Sequence, residues 1–197
     1  MPRRLWVTLD RREVRHLIEI EVADNLISIR PLSVIRNDEI NALYSNSVEM
    51  RYATGADFHV AAGDKAGAVN QQAAVVLPAV KDNEFISGIY LSGAAAGRNK
   101  LAGIISGTIL GRTLWIRQLA VHPGCRKRGL GTRSAELVLK YARERYQAEV
   151  AYLSVVEDNA AGLGFWSKLG FTRIKRISKV LSGDEKPYWI VIMQKML

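Results

Sequence analysis

The spacing of apolar and polar positions in the first part of the chain predicts two strands followed by two helices. Alternation of apolar and acidic residues predicts a half-buried strand at 17–22, and a turn then leads into a second strand at 26–30, which Pro31 ends. Apolar residues at helical spacing predict helices at 37–51 and at 66–77. This part of the chain therefore combines β and α elements.

From residue 85 onward the pattern is that of a sheet interrupted by two helices. Three strands, a long helix, a strand, a short helix and two last strands are predicted at 85–91, 101–110, 113–121, 130–146, 150–156, 160–169, 172–181 and 189–194. Short connections favour antiparallel neighbours, so the first three of these strands should form a meander. The sequence predicts an α/β or α+β domain with one mixed, largely antiparallel central sheet.

The composition is that of a globular protein without a metal or disulfide framework. The 197 residues are 48% hydrophobic and include one cysteine, Cys125, while the three histidines are scattered, so no metal site is expected. The start of the sequence lacks the apolar run of a secretory signal, and no uninterrupted apolar stretch is long enough to span a membrane. These features predict a cytoplasmic protein without membrane association.

The net charge of +9 lies entirely in the second half of the chain. The first 100 residues carry 12 basic and 12 acidic side chains, whereas the remaining 97 carry 16 and 7. A basic field attracts polyanions such as nucleic acid, acidic protein or a multiply phosphorylated cofactor. The alternation of basic residues with exposed aromatic residues that is typical of single-strand binders is not evident, which disfavours nucleic acid.

The segment Arg126–Thr132, between a predicted strand and a predicted helix, has the features of an anion-binding turn. A helix N-terminus presents free N–H groups and the positive end of its dipole. Gly129 and Gly131 let a phosphate approach the backbone closely, and three basic residues and a threonine hydroxyl add donors. The P-loop pattern is absent, and the dinucleotide pattern fails because Ser134 occupies the position of its third glycine.

Two segments of this half resemble the signatures of the GNAT superfamily of N-acetyltransferases. Arg126-x-x-Gly129-x-Gly131 is similar to the family motif Arg/Gln-x-x-Gly-x-Gly/Ala, and 119–123 resembles the strand end and turn that precede it. Residues 159–171 resemble the second signature, an asparagine followed by a short helix and Lys-Leu-Gly-Phe. The resemblance implies a GNAT-type sheet that is flanked by helices and splayed between its fourth and fifth strands.

The resemblance also implies how the chain is organised. It is strong over residues 101–171 and weaker toward the N-terminus, so residues 26–197 are expected to form a single GNAT acyltransferase domain. Residues 1–25 are expected to be an N-terminal extension that forms an extra strand or hairpin. Such a hairpin could pair with another subunit through a sheet edge, which leaves a homodimer open.

The resemblance implies that acetyl-CoA is the cofactor and that several segments contact it. Backbone groups of Leu119, Ala120 and Val121 would pair with the pantetheine arm. Main-chain N–H groups of the turn would hold the pyrophosphate, and the residues concerned are Arg126, Lys127, Arg128, Gly129, Leu130, Gly131 and Thr132. Asn159, Phe165, Trp166 and Lys168 would also contact the cofactor, although a core role for the two aromatic residues stays open.

The catalytic groups common in the family are missing from their expected positions. The family often places a tyrosine that acts as the general acid seven residues after the asparagine. This chain has Trp166 there, and an indole N–H cannot donate a proton at neutral pH. Many members carry a glutamate at the position of Ser154, whose hydroxyl can position water but is not a base. Tyr152, on the same strand face as Ser154, and Glu157 are the substitutes for the missing groups.

Three functions follow from these patterns. The first is an acetyl-CoA-dependent N-acetyltransferase that acts by direct attack of a primary amine, which is a peptide or protein N-terminus or a small amine. The second is an acyl-CoA-binding GNAT module with little or no catalysis, which would act as a sensor or scaffold. The third, a nucleic-acid binder, is disfavoured because the basic clusters coincide with the cofactor signatures.

Overall fold

The computed structural model describes residues 18–32, 82–92, 100–180 and 186–197. These residues form, in chain order, β1 (Val22–Ala23), β2 (Ile27–Pro31), β3 (Glu84–Leu91), β4 (Leu101–Leu110), β5 (Thr113–Val121), a 3₁₀ turn (Pro123–Cys125), α1 (Leu130–Tyr146), β6 (Val150–Val156), α2 (Ala160–Lys168), β7 (Thr172–Val180) and β8 (Pro187–Met196). Neither of these two α-helices has the length and apolar character needed to cross a bilayer. The helices predicted at 37–51 and 66–77 lie outside the described residues.

All eight described strands belong to one sheet, in the order β1-β2-β3-β4-β5-β6-β8-β7. Neighbours are antiparallel except β5 and β6, which run parallel because α1 forms the crossover between them. The predicted mixed, largely antiparallel sheet is confirmed, and so is the meander of β3, β4 and β5. Strand β8 lies between β6 and β7, which leaves β7 at the edge of the sheet.

The N-terminal strand is shorter than predicted. A strand was expected at 17–22, but β1 comprises only Val22–Ala23. The turn that follows β1 is held by the side chain of Asp24, whose Oδ1 accepts hydrogen bonds from the N–H groups of Leu26 at 2.7 Å and Ile27 at 2.8 Å. A side chain that binds nearby backbone groups in this way fixes a turn in place of a ladder.

The hydrophobic core lies between one face of the sheet and the two helices. Helix α1 buries an apolar stripe at helical spacing, made up of Leu130, Ala135, Val138, Leu139 and Ala142. This stripe belongs to the same buried cluster as Phe85, Ile105 and Leu114 from the sheet, and as Trp166 and Phe171. Each large apolar side chain buried in this way contributes about 1.5–3 kcal/mol to folding.

A β-bulge in β5 places an extra residue, Arg117, opposite β4. Ser106 pairs with Gln118 and the next residue, Gly107, pairs with Ile116, so Arg117 has no counterpart on β4. A bulge bends the strand that carries it and increases its twist. Strand β5 therefore changes direction at its middle.

The bulge also changes which residues of β5 face the core. Leu114 and Ile116 pack into the core before the bulge, whereas Leu119 and Val121 pack against it afterwards. The shift from even to odd positions is the result expected when one residue is inserted in a strand whose side chains alternate.

The parallel ladder between β5 and β6 stops where the bulge begins. Its last pair joins Ile116 to Leu153, and beyond that point the two strands separate. The family resemblance implied this splay between a fourth and a fifth strand. The two strands are the fifth and sixth of the described chain because the two-residue strand β1 precedes the others.

Candidate active site

A cleft of about 360 Å³ opens where β5 and β6 separate. Its walls come from these two strands, the turn before α1, and the first turns of α1 and α2. The lining residues are Ile116, Arg117, Gln118, Leu119, Ala120, Val121, Arg126, Gly131, Leu153, Ser154, Val155, Asn159, Ala161, Gly162, Phe165 and Trp166. A concave site of this size, mostly apolar with a few polar groups, suits a small organic ligand.

More than half of the site residues predicted from the sequence line this cleft. They are Leu119, Ala120, Val121, Arg126, Gly131, Ser154, Asn159, Phe165 and Trp166. The others lie outside the lining, in the turn before α1 or beyond the cleft, and are Lys127, Arg128, Gly129, Leu130, Thr132, Tyr152, Glu157 and Lys168.

The end of β5 presents backbone groups to the cleft. The N–H of His122 donates to the carbonyl of Ala102 on the β4 side at 2.8 Å. This bond shows which backbone groups of β5 face β4 and which face the cleft. Alternate residues of a strand bond to the same edge, so the N–H groups of Leu119 and Val121 face the cleft. An extended ligand could pair with this edge as an added strand.

The N-terminus of α1 carries backbone donors without a cap. Gly129 is the N-cap residue, with φ at 75°, and makes no side-chain capping bond. The first N–H of this helix that reaches a carbonyl is that of Arg133, which donates to Gly129 at 3.0 Å. The N–H groups at the three positions between them, 130–132, donate to no backbone carbonyl of the described residues. Uncapped donors of this kind, together with the positive end of the helix dipole, favour the approach of an anion.

The turn before α1 is held by short-range hydrogen bonds. Nδ1 of His122 accepts from the N–H of Gly124 at 3.1 Å, and the carbonyl of His122 accepts from Cys125 at 2.8 Å. Cys125 is buried in the core, whereas Lys127 and its successor Arg128 are exposed. This histidine and this cysteine therefore build the turn and do not reach the cleft.

Arg126 connects the turn to the cleft wall. Its Nε donates to the carbonyl of Val121 at 3.0 Å, on the cleft edge of β5. The bond holds the guanidinium beside the N-terminus of α1, where its charge adds to that of the helix dipole.

Asn159 caps the second helix at the opposite wall. Its Oδ1 accepts from the N–H of Gly162 at 2.8 Å, which satisfies one donor of the first turn of α2. A side chain at Gly162 would meet the Asn159 amide nitrogen at 2.6 Å, so the cap requires a glycine there. The cap leaves the amide N–H₂ of Asn159 as the group that could donate to a ligand.

The aromatic residues of α2 serve both the core and the cleft. Trp166 is 8% exposed and makes edge-to-face contacts with Phe165, at 4.8 Å between ring centroids, and with Phe171, at 5.3 Å. Phe165 and Trp166 also line the cleft. The two roles left open by the sequence therefore coincide, because a single ring can pack on the core with one side and face the cleft with another.

Comparison with known proteins gives the family. The model of the acetyltransferase (GNAT) family matches residues 58–171, which is more than half of the chain. The chain belongs to the GNAT acetyltransferase family. No curated protein sequence matches it.

Solved GNAT structures share the fold at low sequence identity. A probable acetyltransferase of the GNAT family from Chromobacterium violaceum is 12% identical with a TM-score of 0.65, and the match covers 100% of this chain and 96% of that one. Spermidine N-acetyltransferase from Vibrio cholerae in complex with CoA and spermine is 11% identical with a TM-score of 0.59, over 86% and 95%. A spermidine/spermine N-acetyltransferase from the same species is 14% identical with a TM-score of 0.50, and only 65% of that chain is covered.

Of the three candidate catalytic residues in this GNAT chain, Ser154 alone lines the cleft. Tyr152 lies on the same face of β6, but its ring stacks on Trp115 with centroids 5.7 Å apart. Glu157 lies beyond the end of β6 and binds Arg176 through both carboxylate oxygens, at 2.9 Å and 2.6 Å. That guanidinium carbon lies 3.7 Å from the centre of the Trp189 ring, so the carboxylate is neutralised and held. No carboxylate and no tyrosine is among the described residues that line the cleft.

Two polar residues of the cleft were missed from the sequence. Arg117 and Gln118 form the bulge of β5 and line the cleft beside Ser154. Arg117 forms an ion pair with Glu84 on β3, and Gln118 is 2% exposed. The signal was an Arg-Gln pair in an otherwise apolar strand, which breaks the alternation that predicted the strand.

A second ion pair fixes the first turn of α1. Arg133 donates to Asp24 at 2.8 Å, which ties the helix to the turn before β2. Burial raises the pKa of Asp24, but hydrogen bonds from Ile27, Leu26 and Arg133 outweigh burial, and the pKa is lowered overall. Among the described residues there is no cluster of three or more metal-ligating side chains.

Proposed function

We propose that this GNAT chain binds acetyl-CoA in the cleft between β5 and β6 and transfers the acetyl group to a primary amine. The observation that carries the proposal is the continuity of the cleft. It runs from the uncapped N-terminus of α1, past the free edge of β5, to the bulge and Ser154. One extended ligand with an anionic end and a reactive end matches that arrangement.

The anionic end fits the N-terminus of α1. Three free N–H groups converge there, the first turn contains no acidic residue, and Gly131 keeps side-chain atoms away from the donors. Arg126, Lys127 and Arg128 surround the turn with positive charge. A pyrophosphate accepts several charge-assisted hydrogen bonds in such a site.

The pantetheine arm fits the edge of β5. Its amides can pair with the cleft-facing backbone groups of Leu119 and Val121, while Phe165 and Trp166 pack on its apolar parts. The amide N–H₂ of Asn159, on the opposite wall, would donate to the same arm.

The reactive end falls at the bulge. A thioester bound there would have its carbonyl oxygen near a cleft-facing backbone N–H of β5, which would stabilise the negative charge that develops as an amine attacks. The hydroxyl of Ser154 can hold a water that carries the proton of the attacking amine to the departing thiolate, so that CoA leaves as the free thiol. Of the three candidate catalytic residues, Ser154 is the one that lines the cleft.

We infer that the acceptor is a peptide or protein N-terminus or a small amine. One structural neighbour was solved with spermine, but the charged side chains among the described lining residues are Arg117 and Arg126. No described lining residue offers a polyamine a carboxylate. Residues 26–197 would form the acyltransferase domain in this proposal, and residues 1–25 would extend it.

A second function is favoured by one observation. Trp166 and Ser154 occupy the positions where GNAT enzymes commonly place an acid and a base, so the chain could bind acyl-CoA without turnover. In that case the domain would act as a sensor or scaffold.

Two measurements on the same protein separate these functions. Calorimetric titration with acetyl-CoA measures binding, and release of free thiol with a panel of amines and peptides measures transfer. The proposal expects saturable binding and thiol release that depends on an amine. Binding with only background hydrolysis across the panel would support the binding module. The absence of binding would contradict both functions.

A further inference from the structure

Strands β6, β8 and β7 place two lysines on the same face of the sheet as Ser154. Ser154 pairs with Ile192, and Ile192 pairs with Lys175, so the three side chains form one row across the sheet. Two strand spacings separate the ends of the row, which is about 10 Å. Lys179 lies further along β7 on the same face, paired with Tyr188.

Among the described elements, this face is the one opposite α1 and α2. Neighbours of the row, Val155 and Val191, belong to the core that α1 and α2 cover, so the row itself points to the other side. Because Ser154 lines the cleft, Lys175 lies beside the end of the cleft at which an acceptor would arrive.

The two lysines carry charge that nothing in the described structure neutralises. Both are exposed, and neither forms a salt bridge with a described residue. The described parts of β7 and β8 contain no acidic side chain. Arg176 differs from them, since it points to the helix side and is held by Glu157.

One partly exposed apolar side chain, Ile177, lies between the two lysines. Ile177 pairs with Ile190, which pairs with Val156, and it packs on these two buried residues on the same face. Four residues of strand separate Lys175 from Lys179, about 13 Å. The surface thus presents a cation, an isoleucine and a second cation, in that order from the cleft.

We propose that this surface, Lys175, Ile177 and Lys179, is the docking site for an acidic peptide acceptor. The inference rests on the proposed function. A peptide with its N-terminal amine at Ser154 advances about 3.3 Å per residue when extended, so it reaches the first lysine near its third or fourth residue. It reaches the second lysine about four residues later.

The spacing selects a peptide over a small amine and over nucleic acid. A small amine carries no acidic groups to meet two cations about 13 Å apart. A nucleic acid strand would meet an isoleucine in place of the stacking aromatic side chains that such binders use. A peptide with acidic residues on either side of an apolar one complements all three elements.

A binding measurement tests the site without turnover. Three peptides of about ten residues, labelled with fluorescein at the C-terminus, carry glutamate, glutamine or lysine at roughly positions three, four, seven and eight. Fluorescence anisotropy measures their affinity for the full chain in the presence of CoA. We expect the glutamate peptide to bind most tightly and to weaken as salt is added.

Variants of β7 give matched controls. The double variant Lys175→Glu, Lys179→Glu should weaken binding of the glutamate peptide about five- to tenfold, since each exposed pair contributes modestly. The double variant Lys175→Arg, Lys179→Arg should restore it. Arg173→Glu changes the same charge on the same strand, but Arg173 pairs with Met193 on the helix side, so it should change affinity less than about twofold.

The outcomes separate this inference from the proposed function. Three results would overturn the docking site. The first is equal affinity for the glutamate and glutamine peptides, and the second is a loss of affinity in Arg173→Glu as large as that in the double lysine variant. The third is tighter binding of an oligothymidine than of the glutamate peptide. If the double lysine variants changed the solubility of the protein but not its affinity for the peptides, the lysines would only protect the edge of the sheet, and the docking site would also be overturned. Lysine-dependent peptide binding without acetylation of any amine would support the site and contradict the proposed function.

Discussion

Replacing Gly131 by alanine separates cofactor binding from folding. The added Cβ would lie 3.5 Å from the Phe165 ring and 3.7 Å from Val121, which are ordinary van der Waals distances. The fold therefore accommodates it, and the loss of a helical glycine stabilises the protein by up to about 1 kcal/mol. The methyl group, however, stands in the cleft beside the three uncapped N–H groups of α1.

The expected loss of affinity follows from the bonds that the methyl group obstructs. A hydrogen bond to a charged group contributes about 1.5–3 kcal/mol, so losing one raises the Kd for acetyl-CoA about 10- to 100-fold. Calorimetric titration measures this loss, and thermal unfolding shows whether the fold is retained. Gly129 is less suitable for the test because its φ of 75° would strain any side chain placed there.

Gly164→Ala is the matched control. This glycine lies in α2, outside the cleft lining, and a Cβ there meets nothing within 4 Å. The control should gain a similar helix stabilisation and keep the affinity of the parent chain. If Gly131→Ala bound acetyl-CoA within about twofold of the parent, the placement of the pyrophosphate at α1 would be refuted.

Three further predictions concern charged and phenolic groups. Glu157→Gln should leave the turnover number within about twofold of the parent, because Arg176 already neutralises that carboxylate, and a tenfold loss in a steady-state assay would instead make Glu157 catalytic. The lowered pKa of Asp24 contributes stability that is present above the ordinary carboxyl pKa of 3.8 and is lost as the pH falls through the lowered value. Urea unfolding at neutral pH and at about pH 3 should therefore show a smaller difference for Asp24→Asn than for the parent chain. Burial raises the pKa of Tyr141 from 10.0 to about 12. The raised pKa therefore stabilises the folded state fully below pH 10.0, and this stabilisation is lost as the pH rises toward 12. An absorbance titration should show a phenol that ionises near pH 12 in the parent chain and is missing from Tyr141→Phe. Identical titrations of the two proteins would contradict the assignment.

The elements that sequence alone predicted are those with local causes. The helix at 130–146 has the predicted bounds, because an apolar stripe at helical spacing begins just after a glycine in the left-handed region and ends at Gln147, also left-handed. The strand-to-helix junction at 126–132 was equally readable, since its glycines and basic residues are adjacent in the chain, while its role in anion binding stays a prediction. The short helix predicted at 160–169 runs from Ala160 to Lys168 and is capped by Asn159.

The features that escaped prediction depend on contacts between distant segments. The bulge at Arg117 exists only in the register of β5 against β4, and no local pattern specifies that register. Glu157 was a candidate base by position, but β8 inserts between β6 and β7 and brings Arg176 onto it. Tyr152 was placed on the correct face, yet its stacking on Trp115 follows from the parallel pairing of β5 and β6.

The most direct test of the account is an amide NMR titration of the full chain with acetyl-CoA. We expect the N–H signals of Leu130, Gly131 and Thr132 to shift most, because these groups would donate to the pyrophosphate oxygens, together with those of Leu119 and Val121 along the cleft edge of β5. Signals in α1 beyond its first turns should stay in place. Saturable binding that leaves these five amides unchanged would contradict the central claim.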